Sequence, residues 1–137
     1  EIHLYYNSIT YLGHLNGVKD NLNAIENLRI SSALAGNGID ESTAYASLQK
    51  MGLIGREILP VKVLSQGQRR RVTLARLLVS DTVLWILDEP LVALDTSAVL
   101  LVKGILEQHL EKGGMVVMTT HQDINIAAIE TKRLQLN

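Results

Sequence analysis

The sequence predicts an α/β fold, with a parallel sheet and flanking helices beside a small helical unit, and three observations carry that prediction. After Pro60, short apolar runs at Val83 to Leu87 and Met115 to Thr119 alternate with helical stretches at about Gln66 to Val79 and Ser97 to Glu111. Continuous apolar runs of that kind, separated by helices, are the pattern of parallel strands covered on both faces. Before Pro60 the texture is mainly helical. Finally, 137 residues with 47% hydrophobic content and a net charge of −1 describe an ordinary globular chain of one domain or part of one.

Each element has a local reason. Ser8 to Leu12 reads as a short strand. Asn23 with Glu26 three residues on has capping-box form and starts a helix whose apolar side is Ile25, Leu28 and Ile30. Gly36-Asn37-Gly38 is a turn signal. A second helix, about Glu41 to Met51, carries Ala44, Leu48 and Met51 on one side and stops at Gly52, a natural left-handed cap. Ser65 and Gln68 repeat the capping-box spacing at the start of the Gln66 helix, whose apolar back is Val72, Ala75 and Leu78 and whose arginines Arg69, Arg70 and Arg71 read as a solvated face. Gly113-Gly114 closes the long helix. A short helix near Asp123 to Ile129 and a strand at Arg133 to Leu136 complete the pattern.

Composition excludes several function classes. The balanced charge offers no general pull toward a polyphosphate, so any phosphate site must come from local geometry. The longest apolar runs fall far short of the roughly 20 residues that span a bilayer. With no cysteine there is no disulfide or thiolate-metal chemistry, and the four histidines lack helical ligand spacing for zinc.

Three constellations remain. The apolar run Val83 to Leu87 ends in Asp88-Glu89-Pro90, two carboxylates at a strand's carboxyl end, where open parallel sheets bind ligands. Asp88 there suits Mg²⁺, and Glu89 suits a general base or water-positioning group beside a terminal phosphate. The capped helix start, Ser65-Gln66-Gly67-Gln68, presents free amide donors and a positive dipole end; Gly67 allows close backbone approach and the Ser65 hydroxyl can donate to a phosphate oxygen. Thr119-Thr120-His121 puts a histidine at another strand's carboxyl end, able to bond a γ-phosphate or steady a water. Taken singly, each reads more readily as ordinary structure: a solvated turn, a capped helix, a lone histidine. Their order and separation, with Ala93-Leu94-Asp95 between the last two, form one set.

That ordered set resembles the ATP-binding-cassette (ABC) ATPases. Leu64 to Gln68 look like the signature motif, Val83 to Asp88 like Walker B, Glu89 like the catalytic glutamate, Ala93 to Asp95 like the D-loop and His121 like the switch histidine. Within the superfamily the chain is most similar to the haem-exporter ATPases of cytochrome c maturation. Tyr11-Leu12-Gly13-His14, Gly17-Val18-Lys19, Glu26-Asn27-Leu28, Gly52-Leu53, Gly55-Arg56-Glu57, the tryptophan-bearing Leu84 to Pro90 and Thr119 to Gln122 carry that similarity.

The resemblance implies the C-terminal part of a P-loop NTPase domain of ABC type, with a helical subdomain at about residues 15–63 and the catalytic half at about 64–137. It implies ATP and Mg²⁺ as ligands, with Asp88 on the metal, Ser65, Gln66, Gly67, Gln68 and Asp95 at the nucleotide, and Glu89 and His121 in catalysis. It further implies a head-to-tail pair with a second ATPase subunit, transmembrane subunits of a cytochrome c maturation complex as partners, no nucleic acid, and a peripheral place on the cytoplasmic face of the inner membrane. DNA- or ribosome-directed relatives carry long coiled-coil insertions or basic arms, which are absent from these residues.

Two departures stand out. None of the ten glycines opens a Gly-x-x-x-x-Gly-Lys-Ser/Thr phosphate loop, and the chain starts at Glu1, so an N-terminal part is expected to be missing. On that expectation the 137 residues alone act as a silent interaction module, with an open sheet edge and exposed apolar surface. The glutamine of the family's Q-loop falls at or beside Leu15, where His14 is the candidate substitute. The signature's first glycine is Gln66, whose backbone must then avoid left-handed geometry.

Overall fold

A computed structural model of the chain describes residues 9–13 and 17–121. The expected Q-loop positions His14 and Leu15, the helix near Asp123 to Ile129 and the strand at Arg133 to Leu136 lie outside the described residues. Elements follow the order β1 (Ile9–Leu12), α1 (Ala24–Leu34), α2 (Glu41–Lys50), a 3₁₀ turn (Val61–Val63), α3 (Gln66–Val79), β2 (Leu84–Asp88), α4 (Thr96–Glu111) and β3 (Met115–Thr119).

The three strands form one parallel sheet in the order β1-β2-β3. Leu12 pairs with Leu87, Leu87 with Met118, and Asp88 with Thr119, so the carboxyl ends of β2 and β3 finish level. Parallel pairing needs a crossover; α1, α2 and α3 lie between β1 and β2, and α4 lies between β2 and β3. Leu12, Trp85 and Leu87 point into a continuous core with Val72, Leu74 and Leu77 of α3 and Val102 and Leu106 of α4. The same core runs through Ala24 and Leu28 of α1 and Ala44 and Leu48 of α2. α3 packs against α1, α2 and α4 and is thus the central helix.

The caps follow the sequence signals. Asn23 and Glu26 make a reciprocal capping box, as do Ser65 and Gln68, and Asp40 and Asp95 cap α2 and α4 through Thr43 and Ala98. Asp40's carboxyl is held below its ordinary value by the Thr43 hydrogen bonds. Gly52 takes φ +79 after α2, a left-handed conformation that disfavours any side chain, and Arg71 Nη1 occupies the space where a Cβ would be.

Four expectations need correction. The sheet is covered on one face only among the described residues: burial alternates along β2, and Tyr11, Met115 and Val117 on the other face are more than half exposed. Helices contribute to one side, and strand period 2 turns the alternate residues away from it. Ile30 is exposed, because it lies on the far side of α1 from Leu28; Ser32 takes the buried position. Val83 precedes β2 as an exposed residue, whereas α2 ends at Lys50 with buried Met51 as its C-cap, within a residue of the expected end. Lastly, the arginines of α3 are not a solvated face. Arg70 is 2% exposed, since Arg70, Leu74 and Leu77 fall at i, i+4 and i+7 on one buried stripe. Arg69 donates to the Lys62 carbonyl and Arg71 to that of Met51.

Candidate functional site: a carboxylate rim and a helix-end hollow

The expected residues fall into two groups. The first is a rim at the level ends of β2 and β3. Because Asp88 and Thr119 are register partners, the Thr119 hydroxyl donates to Asp88 Oδ1 at 2.8 Å. The same hydroxyl oxygen accepts the Glu89 backbone N–H at 3.0 Å, and the Thr119 carbonyl accepts it at 3.1 Å. One residue of β3 thus fixes both consecutive acidic positions. Glu89 sits at φ +49, a left-handed conformation that costs a non-glycine residue on the order of 1–2 kcal/mol. That turn sends its carboxylate to His121, whose Nε2 is 2.8 Å from Glu89 Oε1. Asp88, Glu89 and His121, named separately from sequence, therefore gather at one rim.

Underneath lies a residue that sequence reasoning did not single out. Arg70 of α3 donates through Nη1 to the Gly13 carbonyl at 3.1 Å and through Nη2 to the carbonyls of Glu89 at 3.0 Å and Asp88 at 3.4 Å. Burial lowers its pKa from the ordinary arginine value, while the Asp88 charge opposes that shift. Its place on the Leu74 and Leu77 stripe was the available signal. Thr119's bridging role had no local signal, because it depends on the β2 to β3 register.

The second group is a hollow of about 370 Å³ at the start of α3, lined by Gly52, Ser65, Gly67, Gln68, Arg71, Ala93, Leu94 and Asp95. Ser65 Oγ accepts the Gln68 N–H at 3.1 Å, and Gln68 Oε1 accepts the Ser65 N–H at 2.9 Å. The serine hydroxyl proton is not used by that box, so it can still donate to an oxyanion. Gln66 is the first helical residue and keeps a negative φ, as its side chain requires. A Cβ on Gly67 would lie 2.9 Å from the Ala93 carbonyl, so glycine here permits close packing of the helix start on the 93–95 loop. Ala93 itself is left-handed, at φ +67. Asp95 caps α4 and pairs with Arg71 at 3.2 Å, and Arg71 also reaches the end of α2 through Met51.

The hollow is rich in N–H donors and the rim in carboxylates. None of Asp88, Glu89 or His121 lines the hollow. Among the described residues no group of three His, Cys, Asp or Glu side chains could enclose a metal, and no helix is long and apolar enough to cross a membrane.

Known proteins resemble this chain in sequence and in fold. Two cytochrome c biogenesis ATP-binding export proteins CcmA are similar over nearly the whole chain. That of Nitrosospira multiformis is 72% identical, covering 96% of this chain and 64% of its own length. That of Nitrosomonas europaea is 63% identical, covering 97% and 62%. The chain thus spans less than two thirds of these relatives. Among solved structures, a putative ABC transporter ATP-binding protein from Pyrococcus furiosus superposes with TM-score 0.75 at 26% identity, over 88% of this chain and 60% of that one. A dimeric ATP-binding cassette bound to ADP and Pi in a post-hydrolysis state gives the same score at 23% identity, over 88% and 55%, and shows the shared fold. Since residues 1–92 match the ABC transporter family, the chain belongs to that family.

Proposed function

We propose that the chain is part of an ATP-hydrolysing subunit of a haem exporter serving cytochrome c biogenesis. The observation that carries the reading is the rim: Asp88 and Glu89 locked by Thr119, with the Glu89 carboxylate on His121. The identity to relatives named for cytochrome c biogenesis supports the substrate class.

The residues fit Mg²⁺. This ion takes one or two carboxylates, keeps several waters and draws other ligands from substrate phosphates, so it does not need an enclosed protein cage. Asp88, half-buried with one oxygen oriented by Thr119, is a donor of that kind. When bound, Mg²⁺ neutralises phosphate charge. Glu89 accepts a proton from, or orients, the attacking water, and His121 stands where it meets the terminal phosphate or steadies that water.

The hollow supplies the complementary half. The free N–H groups at the start of α3 and the Ser65 hydroxyl suit phosphate oxygens. Because the hollow and the rim do not line one cavity, a phosphate touching both is reached by two chains placed head to tail, with Ser65, Gln66, Gly67 and Gln68 of one facing Glu89 of the other. Asp95, beside the hollow, then lies at the pairing face. Hydrolysis then opens the pair, and a helical subdomain at about residues 15–63 passes that movement to transmembrane subunits at the cytoplasmic face of the inner membrane.

A second reading follows from the sequence, which contains no phosphate loop in its 137 residues: by themselves these residues pair with a partner and do not turn over ATP. Titration with Mg-ATP separates the two. The protein expressed from its complete reading frame is expected to bind with a Kd on the order of micromolar and the 137 residues alone no tighter than about millimolar. Failure of the complete protein to hydrolyse ATP overturns the enzymatic reading.

A further inference from the structure

We infer that Arg70 is a positioning residue for Glu89, holding its carbonyl while Thr119 holds its N–H. The inference rests on the proposed ATPase reading and concerns the same rim.

Glu89 is gripped at both ends of its own residue. Its N–H is held by the carbonyl and hydroxyl of Thr119, and its C=O by Arg70 Nη2 at 3.0 Å. With the peptide groups on either side of its Cα fixed, the left-handed φ of +49 is over-determined, and the side chain alone keeps freedom, ending on His121. The other arm of the guanidinium is committed to Gly13, just past β1, so the ends of β1 and β2 are tied through one planar group. A fork of five donors in fixed geometry can serve both strand ends at once; a lysine ammonium is one point, and a glutamine amide has two donors on one nitrogen. Arg70 is 2% exposed, and hydrogen bonds to backbone carbonyls offset the cost of burying its charge. At that burial Arg70 is not placed to touch substrate. It acts through the carboxylate that it aims.

The test is a double-mutant cycle in the protein expressed from its complete reading frame. Arg70→Gln is expected to lower kcat about 30-fold while KM for ATP stays within about 3-fold, and Arg70→Lys to give an intermediate loss. In a Glu89→Gln background the same substitutions should alter residual turnover less than about 2-fold, because the group being aimed is gone. Equal fold losses in both backgrounds, or a KM that rises as kcat falls, overturns the inference. If Arg70→Gln does not fold, Arg70→Lys carries the same cycle. If the wild-type protein hydrolyses no ATP, the ATPase reading fails, and amide exchange then judges Arg70 separately. Val92 N–H, which donates to the same Glu89 carbonyl that Arg70 holds, exchanging at least about 10-fold faster in Arg70→Lys, with Trp85 unchanged, supports the grip; unchanged exchange at Val92 overturns it.

Discussion

The rim and the hollow are built by opposite means. At the rim, acidic side chains are brought together by strand register: Asp88 meets Thr119 because β2 and β3 pair in parallel and end level. At the hollow, donors come from backbone geometry, the free amides of a capped helix start packed on a left-handed loop at Ala93. Carboxylates repel a phosphate unless a cation and a properly placed water intervene, whereas helix-end amides attract it outright. On the proposed function, one region therefore supplies chemistry and the other binding, and neither alone completes a nucleotide site.

The sharpest way to break that division is Glu89→Gln. It preserves size and the backbone hydrogen bonds of the turn but removes the proposed base, so turnover should fall on the order of 1,000-fold with ATP affinity within about 3-fold in an equilibrium binding assay. Loss of affinity and turnover in equal measure assigns Glu89 to binding and erases the distinction.

Gly67→Ala attacks the other side. Its Cβ would lie 2.9 Å from the Ala93 carbonyl, and neither backbone yields cheaply. Overpacking of this type costs about 1–3 kcal/mol, read as a lowered urea midpoint. Turnover should fall about 30-fold through weaker nucleotide-dependent pairing, with KM rising, the reverse of the Glu89→Gln pattern.

Thr119→Val is the mildest of the three. It removes the hydroxyl between Asp88 and Glu89 but leaves the carbonyl that still accepts the Glu89 N–H. A loss of about 1 kcal/mol in stability and about 10-fold in kcat is expected, from denaturant melts and steady-state kinetics. An unchanged kcat means that register alone positions the carboxylates.

The same contrast explains how much the sequence disclosed. Caps are local: Asn23 with Glu26 and Ser65 with Gln68 announce themselves at three-residue spacing, and both boxes form. The apolar runs ending at Leu87 and Thr119 likewise place β2 and β3 to within a residue. What depends on partners distant in the chain is legible at most faintly, as in the stripe that Arg70 shares with Leu74 and Leu77. Arg70 reads as one of three surface arginines until α3 becomes the central helix, packed against α1, α2 and α4. Thr119's double duty needs the register between strands. Among the described residues, the exposed face with Tyr11, Met115 and Val117 departs from the two-sided cover that continuous apolar runs imply, since a run of apolar residues does not by itself specify what lies over each side.

The central claim is that rim and hollow act together across two chains, and mixing two inactive variants tests it directly. Ser65→Arg blocks the hollow and leaves the rim; Glu89→Gln disables the rim and leaves the hollow. Each variant alone should be nearly inactive. An equal mixture, unfolded together and refolded, is expected to regain about a quarter of wild-type turnover, because half of the pairs then hold one site with an intact rim facing an intact hollow. Activity in the mixture no higher than the mean of the two variants alone contradicts the shared site.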